Sequence, residues 1–255
     1  MKISIITAVY NSKTTVEEAI NSVARQTYPD IEHLVIDGMS TDGSLEQIAA
    51  NTHERMILHS EEDAGIYDAL NKGIRRASGE VIGFVHSDDF LPDEHVIDKI
   101  AKTFIANPNV QAVYSNLDYV SQSNSSRVIR HWSTKEFNAR RLKYGWMPAH
   151  PTLYVRKSAY ERYGMFNTDL HISADYDFVL RFFSQMKGTS ILLPEVLYKM
   201  RLGGVSNKSA RHISLKIKED YYVIRQNKIG GLSTLVWKNL SKIRQFKPSN
   251  KTNKR

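Results

Sequence analysis

Two adjacent acids close the segment Phe84-Val85-His86-Ser87-Asp88-Asp89-Phe90, where an apolar run stops abruptly. Val81-Ile82-Gly83-Phe84-Val85 has the β-branched and aromatic character of a buried strand, with no charge between Glu80 and Asp88. Neighbouring carboxylates at the mouth of such a strand repel each other and lose solvation, so a cation or a set of donors must compensate them. Oxygen ligands of this kind suit Mg²⁺ or Mn²⁺, and those cations in turn suit a diphosphate. Ser-Asp-Asp is equally ordinary turn chemistry, and the segment alone leaves both readings open. Further carboxylates stand at comparable places: Asp37 after His33–Ile36, Asp63 in a polar loop, and Asp175 and Asp177 at the head of an amphipathic stretch.

The elements that must position these residues alternate through the first half. Strands are expected over Ile3–Val9, His33–Ile36, Met56–His59 and Val81–Val85, and helices over Thr14–Arg25, Ser44–Asn51 and Ile66–Ala77. Repeated βα units imply an α/β fold with a parallel, doubly wound sheet and helices on both faces. Ligands of such sheets lie beyond the carboxyl ends of the strands. The polar clusters Thr7–Ser12, Asp37–Gly43, Glu61–Gly65 and His86–Asp89 all fall there, so four loops converge on one crevice. The second half is less regular. A helix is expected over Asp93–Ala106 and a strand over Gln111–Tyr114. Val120–Arg127 reads as the polar turn of a hairpin with Val128–Trp132, and Pro151–Arg156 as strand-like. Ser158–Tyr163 and Ala174–Ser184 read as helices, and Thr189–Leu193 and Glu195–Arg201 as edge strands around Pro194. Lys208–Lys228 and Leu232–Phe246 follow as helices, and 248–255 as a disordered end.

Composition bounds the function. The 255 residues, 41% hydrophobic and 24% charged, suit one large core with a small appendage. No cysteine is present, which excludes a disulfide framework and thiolate metal sites. Met1-Lys2-Ile3-Ser4-Ile5-Ile6 reads as a strand rather than a signal peptide, and no apolar run approaches the roughly 20 residues of a spanning helix. The net charge of +8 is unevenly placed: Asn207–Arg255 holds 13 Lys and Arg against Glu219 and Asp220, a balance of +11 that leaves Met1–Ser206 at −3. A mildly acidic body argues against nucleic acid, while the basic tail suits an anionic surface. Tyr221, Tyr222, Ile224, Leu232, Leu235, Val236, Trp237 and Leu240 alternate there with Lys and Arg, as in an interfacial amphipathic helix or a basic helix packed on the body.

Read in order, the loops resemble a family 2 glycosyltransferase of the GT-A type. The resemblance rests on Ile5-Ile6-Thr7-Ala8-Val9-Tyr10-Asn11, Asp37-Gly38-Met39-Ser40-Thr41-Asp42-Gly43-Ser44, Asp63-Ala64-Gly65-Ile66-Tyr67-Asp68-Ala69-Leu70-Asn71-Lys72-Gly73 and Ser87-Asp88-Asp89. His150-Pro151-Thr152, Ala174-Asp175-Tyr176-Asp177 and Arg201-Leu202-Gly203-Gly204 continue it, so it covers residues 1–206. Residues 207–247 then form a basic amphipathic helical tail. The Asp37-Gly38 and Gly65-Ile66-Tyr67-Asp68-Ala69 variants resemble the branch found in exopolysaccharide and lipopolysaccharide synthesis.

The resemblance implies an inverting, metal-dependent transferase, cytoplasmic or peripheral on the inner face of the cytoplasmic membrane. It would move a sugar from a nucleotide-sugar donor, UDP-linked rather than GDP-linked, to a lipid-linked glycan acceptor. Thr7, Ala8, Tyr10, Asp37 and Asp63 would hold the nucleoside, Arg201 would meet the diphosphate, and Ser87 and Lys72 would also contact the donor, Lys72 in compensation for Leu70. Asp88 and Asp89 would bind Mn²⁺ or Mg²⁺, and Asp175 would be the general base, with Asp177 as its rival. Two departures are visible: His86 stands where many relatives carry Asp, and Leu70 where many carry Arg. His150 can line the acceptor site, bind a metal or pack. A sugar nucleotidyltransferase would need a Gly-rich loop after the first strand, which Thr7–Lys13 lacks. A non-catalytic sugar-binding partner is the other alternative, favoured by His86 and Leu70 and disfavoured by the four acids Asp37, Asp88, Asp89 and Asp175.

Overall fold

The computed structural model describes residues 1–202 and 210–243. Its eight strands form one sheet: β1 Ile3–Val9, β2 Ile31–Asp37, β3 Met56–Ser60, β4 Val81–Phe84, β5 Val110–Val120, β6 Val128–Trp132, β7 Tyr154–Arg156 and β8 Thr189–Arg201. The helices are α1 Val16–Ala24, α2 Ser44–Ala50, α3 Ile66–Arg76, α4 Val96–Ala106, α5 Ala139–Leu142, α6 Lys157–Tyr163, α7 Ala174–Gln185, α8 Ala210–Gln226 and α9 Leu232–Ile243.

The sheet has two parts. In the order β3-β2-β1-β4 all neighbours are parallel. β7 then runs antiparallel to both β4 and β5, β6 pairs antiparallel with the far end of β5, and β8 lies parallel along β5. β1 is buried at every position because both faces are covered. Ile6 and Ala8 join Ala69, Leu70 and Ile74 of α3, whereas Ile3 and Ile5 join Ala19 and Val23 of α1 and the inner face of α4. Gly73 allows the close approach of α3, since a Cβ there would stand 2.5 Å from Ile6 Cγ2.

The second half departs from expectation at three places. β5 continues past Tyr114 to Val120, although Ser115 and Asn116 are polar; both are buried and bonded. Asn116 Nδ2 donates to the Pro194 carbonyl at 2.9 Å, and its Oδ1 accepts from Thr134 N at 2.8 Å. The two edge strands expected around Pro194 are therefore one strand, with its register against β5 shifting on either side of Asn116. Proline, lacking an N–H, is accommodated at such an irregularity. Residues 150–152 form a 3₁₀ turn, so the strand expected from Pro151 shortens to β7.

The C-terminal helices pack on the body. Val223, Ile224 and Leu235 enter the same core as Phe178, Phe182 and Phe183 of α7. Among the described residues no helix is long and apolar enough to cross a membrane. The disordered end expected at 248–255 lies outside the described residues.

Candidate active site

The carboxyl ends of β1, β2, β3 and β4 meet at one end of the parallel half, and hydrogen bonds lace their loops together. Asn11, at φ 48°, donates its amide to Ser40 Oγ at 2.9 Å and accepts from Thr41 N at 2.9 Å. Ser12 N donates to Ser44 Oγ at 2.8 Å, and the Ser12 and Ser87 hydroxyls lie 2.9 Å apart, tying the first loop to the one after β4. Thr7 and Ala8 lie within β1 with buried side chains, the Thr7 hydroxyl being 3.0 Å from His33 Nε2. Tyr10, just beyond the strand, is 65% exposed.

Asp37 ends β2 and is fully buried. Its Oδ2 accepts from Ser60 Oγ at 2.7 Å and from Ser40 N at 3.2 Å, while its Oδ1 has no partner. A buried carboxylate oxygen without a donor is costly, and a ligand donor would relieve it. Asp63 lies directly against Gly38: a Cβ on that glycine would fall 2.3 Å from Asp63 Oδ2 and 3.4 Å from Tyr10 Cδ2. Gly38 thus lets Asp37, Asp63 and Tyr10 converge. Lys72 donates to the Glu62 carbonyl, beside Asp63, and pairs with Asp68 at 3.4 Å.

Beyond β4 the paired acids separate. Asp89 is fully buried, with Oδ1 accepting from Arg201 N at 3.0 Å and Oδ2 from the Tyr198 hydroxyl at 3.1 Å. Burial, then the charge of Asp88, pushes its carboxyl well above the usual range, and the two hydrogen bonds oppose that rise. Asp89 therefore ties the end of β4 to β8, and Asp88 is the half-buried member whose carboxylate accepts no hydrogen bond among the described residues. Arg201 is buried over the Phe90 ring at 4.9 Å, donates to the Asp88 carbonyl at 2.6 Å and pairs with Glu18.

Asp175 is the second residue of α7 and half-buried, with Oδ1 accepting from Tyr176 N at 2.7 Å. The charge of Asp175 raises the pKa of both His86 and His150 against burial, and that of Asp88 raises that of His86. The histidine rings are 6.0 Å apart. Burial lowers the His86 pKa and takes His150 down to about 4, so both imidazoles are neutral near pH 7. His86 Nδ1 and both nitrogens of His150 are buried without partners. Asp177 is occupied: its Oδ2 accepts from Arg181 Nε at 2.8 Å and its Oδ1 from Asn227 Nδ2 at 2.9 Å.

The model of the family "Glycosyl transferase family 2" matches residues 4–164. The chain belongs to that family. A Mycobacterium tuberculosis PGL/p-HBAD biosynthesis glycosyltransferase is 30% identical over 208 residues, 80% of this chain and 78% of the relative. An uncharacterized glycosyltransferase of Haemophilus influenzae is 27% identical over 248 residues, 89% of this chain and 75% of the relative. Among solved structures, S. aureus TarS 1-349 superposes with a TM-score of 0.70 at 19% identity, covering 99% of this chain and 76% of that one. The longer TarS chain is covered only to 39%, with a TM-score of 0.66, 22% identity and 89% of this chain aligned. A Pyrobaculum calidifontis mannosyltransferase, solved with GDP-Man and Mn²⁺, gives 0.60 at 22% identity, covering 96% of this chain and 65% of that one. At these identities the structural likeness speaks for the GT-A fold.

Several residues of this family 2 glycosyltransferase site escape sequence reading. Tyr198 bridges Asp89 and the His86 amide, which donates to its hydroxyl at 3.0 Å. Tyr67 donates to the Ile172 carbonyl at 2.7 Å. Glu219 accepts from the amides of His171, Ile172 and Ser173, each at 2.9 Å. The one available signal was that Glu219 and Asp220 are the only acids in a basic tail.

Proposed function

We propose that the chain transfers a sugar, with inversion, from a nucleotide-sugar donor to a glycan hydroxyl, using a UDP-sugar in preference to a GDP-sugar. The observation that carries this reading is the unpartnered oxygen of Asp37, next in sequence to the glycine against which Asp63 and Tyr10 close. Asp37 Oδ1 accepts from the base or ribose, the Tyr10 ring covers the base, and Asp63 closes the nucleoside from the β3 side. The open carboxylate of Asp88 would hold a Mn²⁺ or Mg²⁺ ion there, an oxygen donor of the kind such cations take. Such an ion, when bound, neutralises charge on the departing diphosphate. Arg201 on the Asp88 carbonyl and Lys72 on the Glu62 carbonyl brace the same two loops, with their charges paired to Glu18 and Asp68. Ser87 holds the Asp88 loop against Ser12.

Asp175 removes the proton from the acceptor hydroxyl as its oxygen bonds to the anomeric carbon and the carbon–oxygen bond to the diphosphate breaks. A single displacement inverts the anomeric centre. Asp177, with both oxygens engaged, is the poorer base. The deciding experiment measures UDP or GDP released from a panel of nucleotide sugars with Mn²⁺, Mg²⁺ or EDTA, beside Asp88→Ala and Asp175→Asn. Metal-dependent release of one nucleotide, lost in Asp88→Ala, is the expected result. Neither release nor nucleotide binding with Mn²⁺ would sink the reading.

The acceptor is, on this proposal, a lipid-linked glycan in surface polysaccharide or lipopolysaccharide synthesis, met at the inner face of the cytoplasmic membrane. The support is the outer surface of α8 and α9. Their only acids, Glu219 and Asp220, are buried, so among the described side chains the exposed charge is Arg211, Lys218 and Arg225, with Lys228 in the turn between the helices. Ile213, Ile217, Tyr222, Leu232, Val236 and Trp237 are exposed between them. A basic face with interleaved aromatics suits anionic lipid. Sedimentation with phosphatidylglycerol vesicles, weakened by salt and stronger than retention on duplex DNA, is expected; equal binding to phosphatidylcholine vesicles would contradict it.

A further inference from the structure

The turn that delivers Asp175 is held from the C-terminal helices rather than by its own helix. Ser173 precedes α7, yet its hydroxyl does not cap that helix; it donates to Asp220 Oδ1 at 2.7 Å. The amides of His171, Ile172 and Ser173 converge on the Glu219 carboxylate, one on Oε1 and two on Oε2. Tyr67 fixes the Ile172 carbonyl from α3. Asp220 is itself locked by Lys216 at 2.8 Å and Lys238 at 2.5 Å, with the Lys238 ammonium 3.5 Å from the centre of the Tyr176 ring. Three successive amides on one buried carboxylate are charge-assisted bonds of fixed direction. They take up the amides just ahead of the helix, two residues before the carboxylate at its head.

We propose that Glu219, backed by Asp220, is a positioning residue for Asp175. The C-terminal helices then belong to the catalytic unit, in addition to any role at a membrane. The proposal rests on Asp175 being the base. A base displaced by about 1 Å loses on the order of a hundredfold in rate, while a nucleoside site at the ends of β1 and β2 is unaffected.

The test is Glu219→Gln in the full chain, with Ser173→Ala and Asp175→Asn alongside. Glutamine offers one acceptor oxygen, and its amide group confronts an N–H it cannot bond. The expected result is a kcat for transfer lower by about 10- to 100-fold, with the Kd for UDP and the KM for donor within about twofold of wild type. Ser173→Ala is expected to show the same split with a smaller loss, and decides the matter if Glu219→Gln does not fold. A folded variant with kcat within about twofold of wild type overturns the proposal, as does an equal loss of UDP affinity, which marks general damage. If Asp175→Asn turns over like wild type, the assignment of the base fails instead, and the two failures are told apart.

Discussion

The parallel half and the mixed half of the sheet position functional groups in different ways. In β3-β2-β1-β4 the parallel ladder does the placing: strand ends bring Asp37, Tyr10 and Asp88 together, and short side chains such as Asn11, Ser12 and Ser40 tie one loop to the next. In the half built on β5, β7 and β8, side chains do it. Asp89 spans to Tyr198 and Arg201, Asp177 to Arg181 and Asn227, and Glu219 and Asp220 reach the turn before α7. In the first mode the ladder sets where the acids stand, and the loop side chains only brace it. The second depends on single groups, each of which leaves buried partners unsatisfied when lost.

Four measurements sharpen or break that contrast. Asp175→Asn is expected to lower kcat about a thousandfold, the middle of the range for a lost general base, with UDP affinity kept in calorimetry. Asp37→Ala should weaken UDP binding by about 10- to 100-fold, as removal of a charged hydrogen-bond acceptor does, while leaving the melting temperature nearly unchanged. A result in which Asp37→Ala destabilises the fold as much as it weakens binding would erase the difference between the halves.

The third concerns acid. Burial, with His53 and Arg55 adding to it, takes His33 down to about 3. The unfolded chain therefore gains this proton first, and stability present above about pH 6.5 is lost as pH falls, by about 1.4 kcal/mol per pH unit. For Asp220 burial acts upward, but Lys238 and then Lys216 hold its carboxyl below the ordinary value. Its contribution is present above about pH 4 and lost as pH falls through the lower folded value. Urea unfolding across pH should show His33→Gln flattening the slope between pH 6 and 4, and Asp220→Asn flattening it only below 4. The smallest effect is expected from Leu232→Glu on the outer face: a several-fold loss of binding to anionic vesicles, with kcat on a soluble acceptor within about twofold.

The convergence of the first four loops was legible because alternating strands and helices leave little choice of topology. Which member of each acid pair faces the crevice was not. Asp88 and Asp89 are chemically identical neighbours, and so nearly are Asp175 and Asp177. What separates them is a partner 112 residues away in one case and 50 in the other. The same holds for Pro194, whose fit depends on Asn116, and for the tail, whose net charge concealed two acids turned inward. Periodicity reports which face of an element is apolar; it carries no record of which distant donor meets a given oxygen.

The Lys238–Asp220–Ser173 lock also bears on how such chains can recombine. A crossover at residue 206 would preserve every motif by which the chain is recognised. It would function only if the incoming segment brought one carboxylate opposite the amides of residues 171–173 and a second, backed by a cation, opposite the Ser173 hydroxyl. Exchange of tails is then restricted by inheritance of a matched set, while the outer face of the same helices stays free to drift.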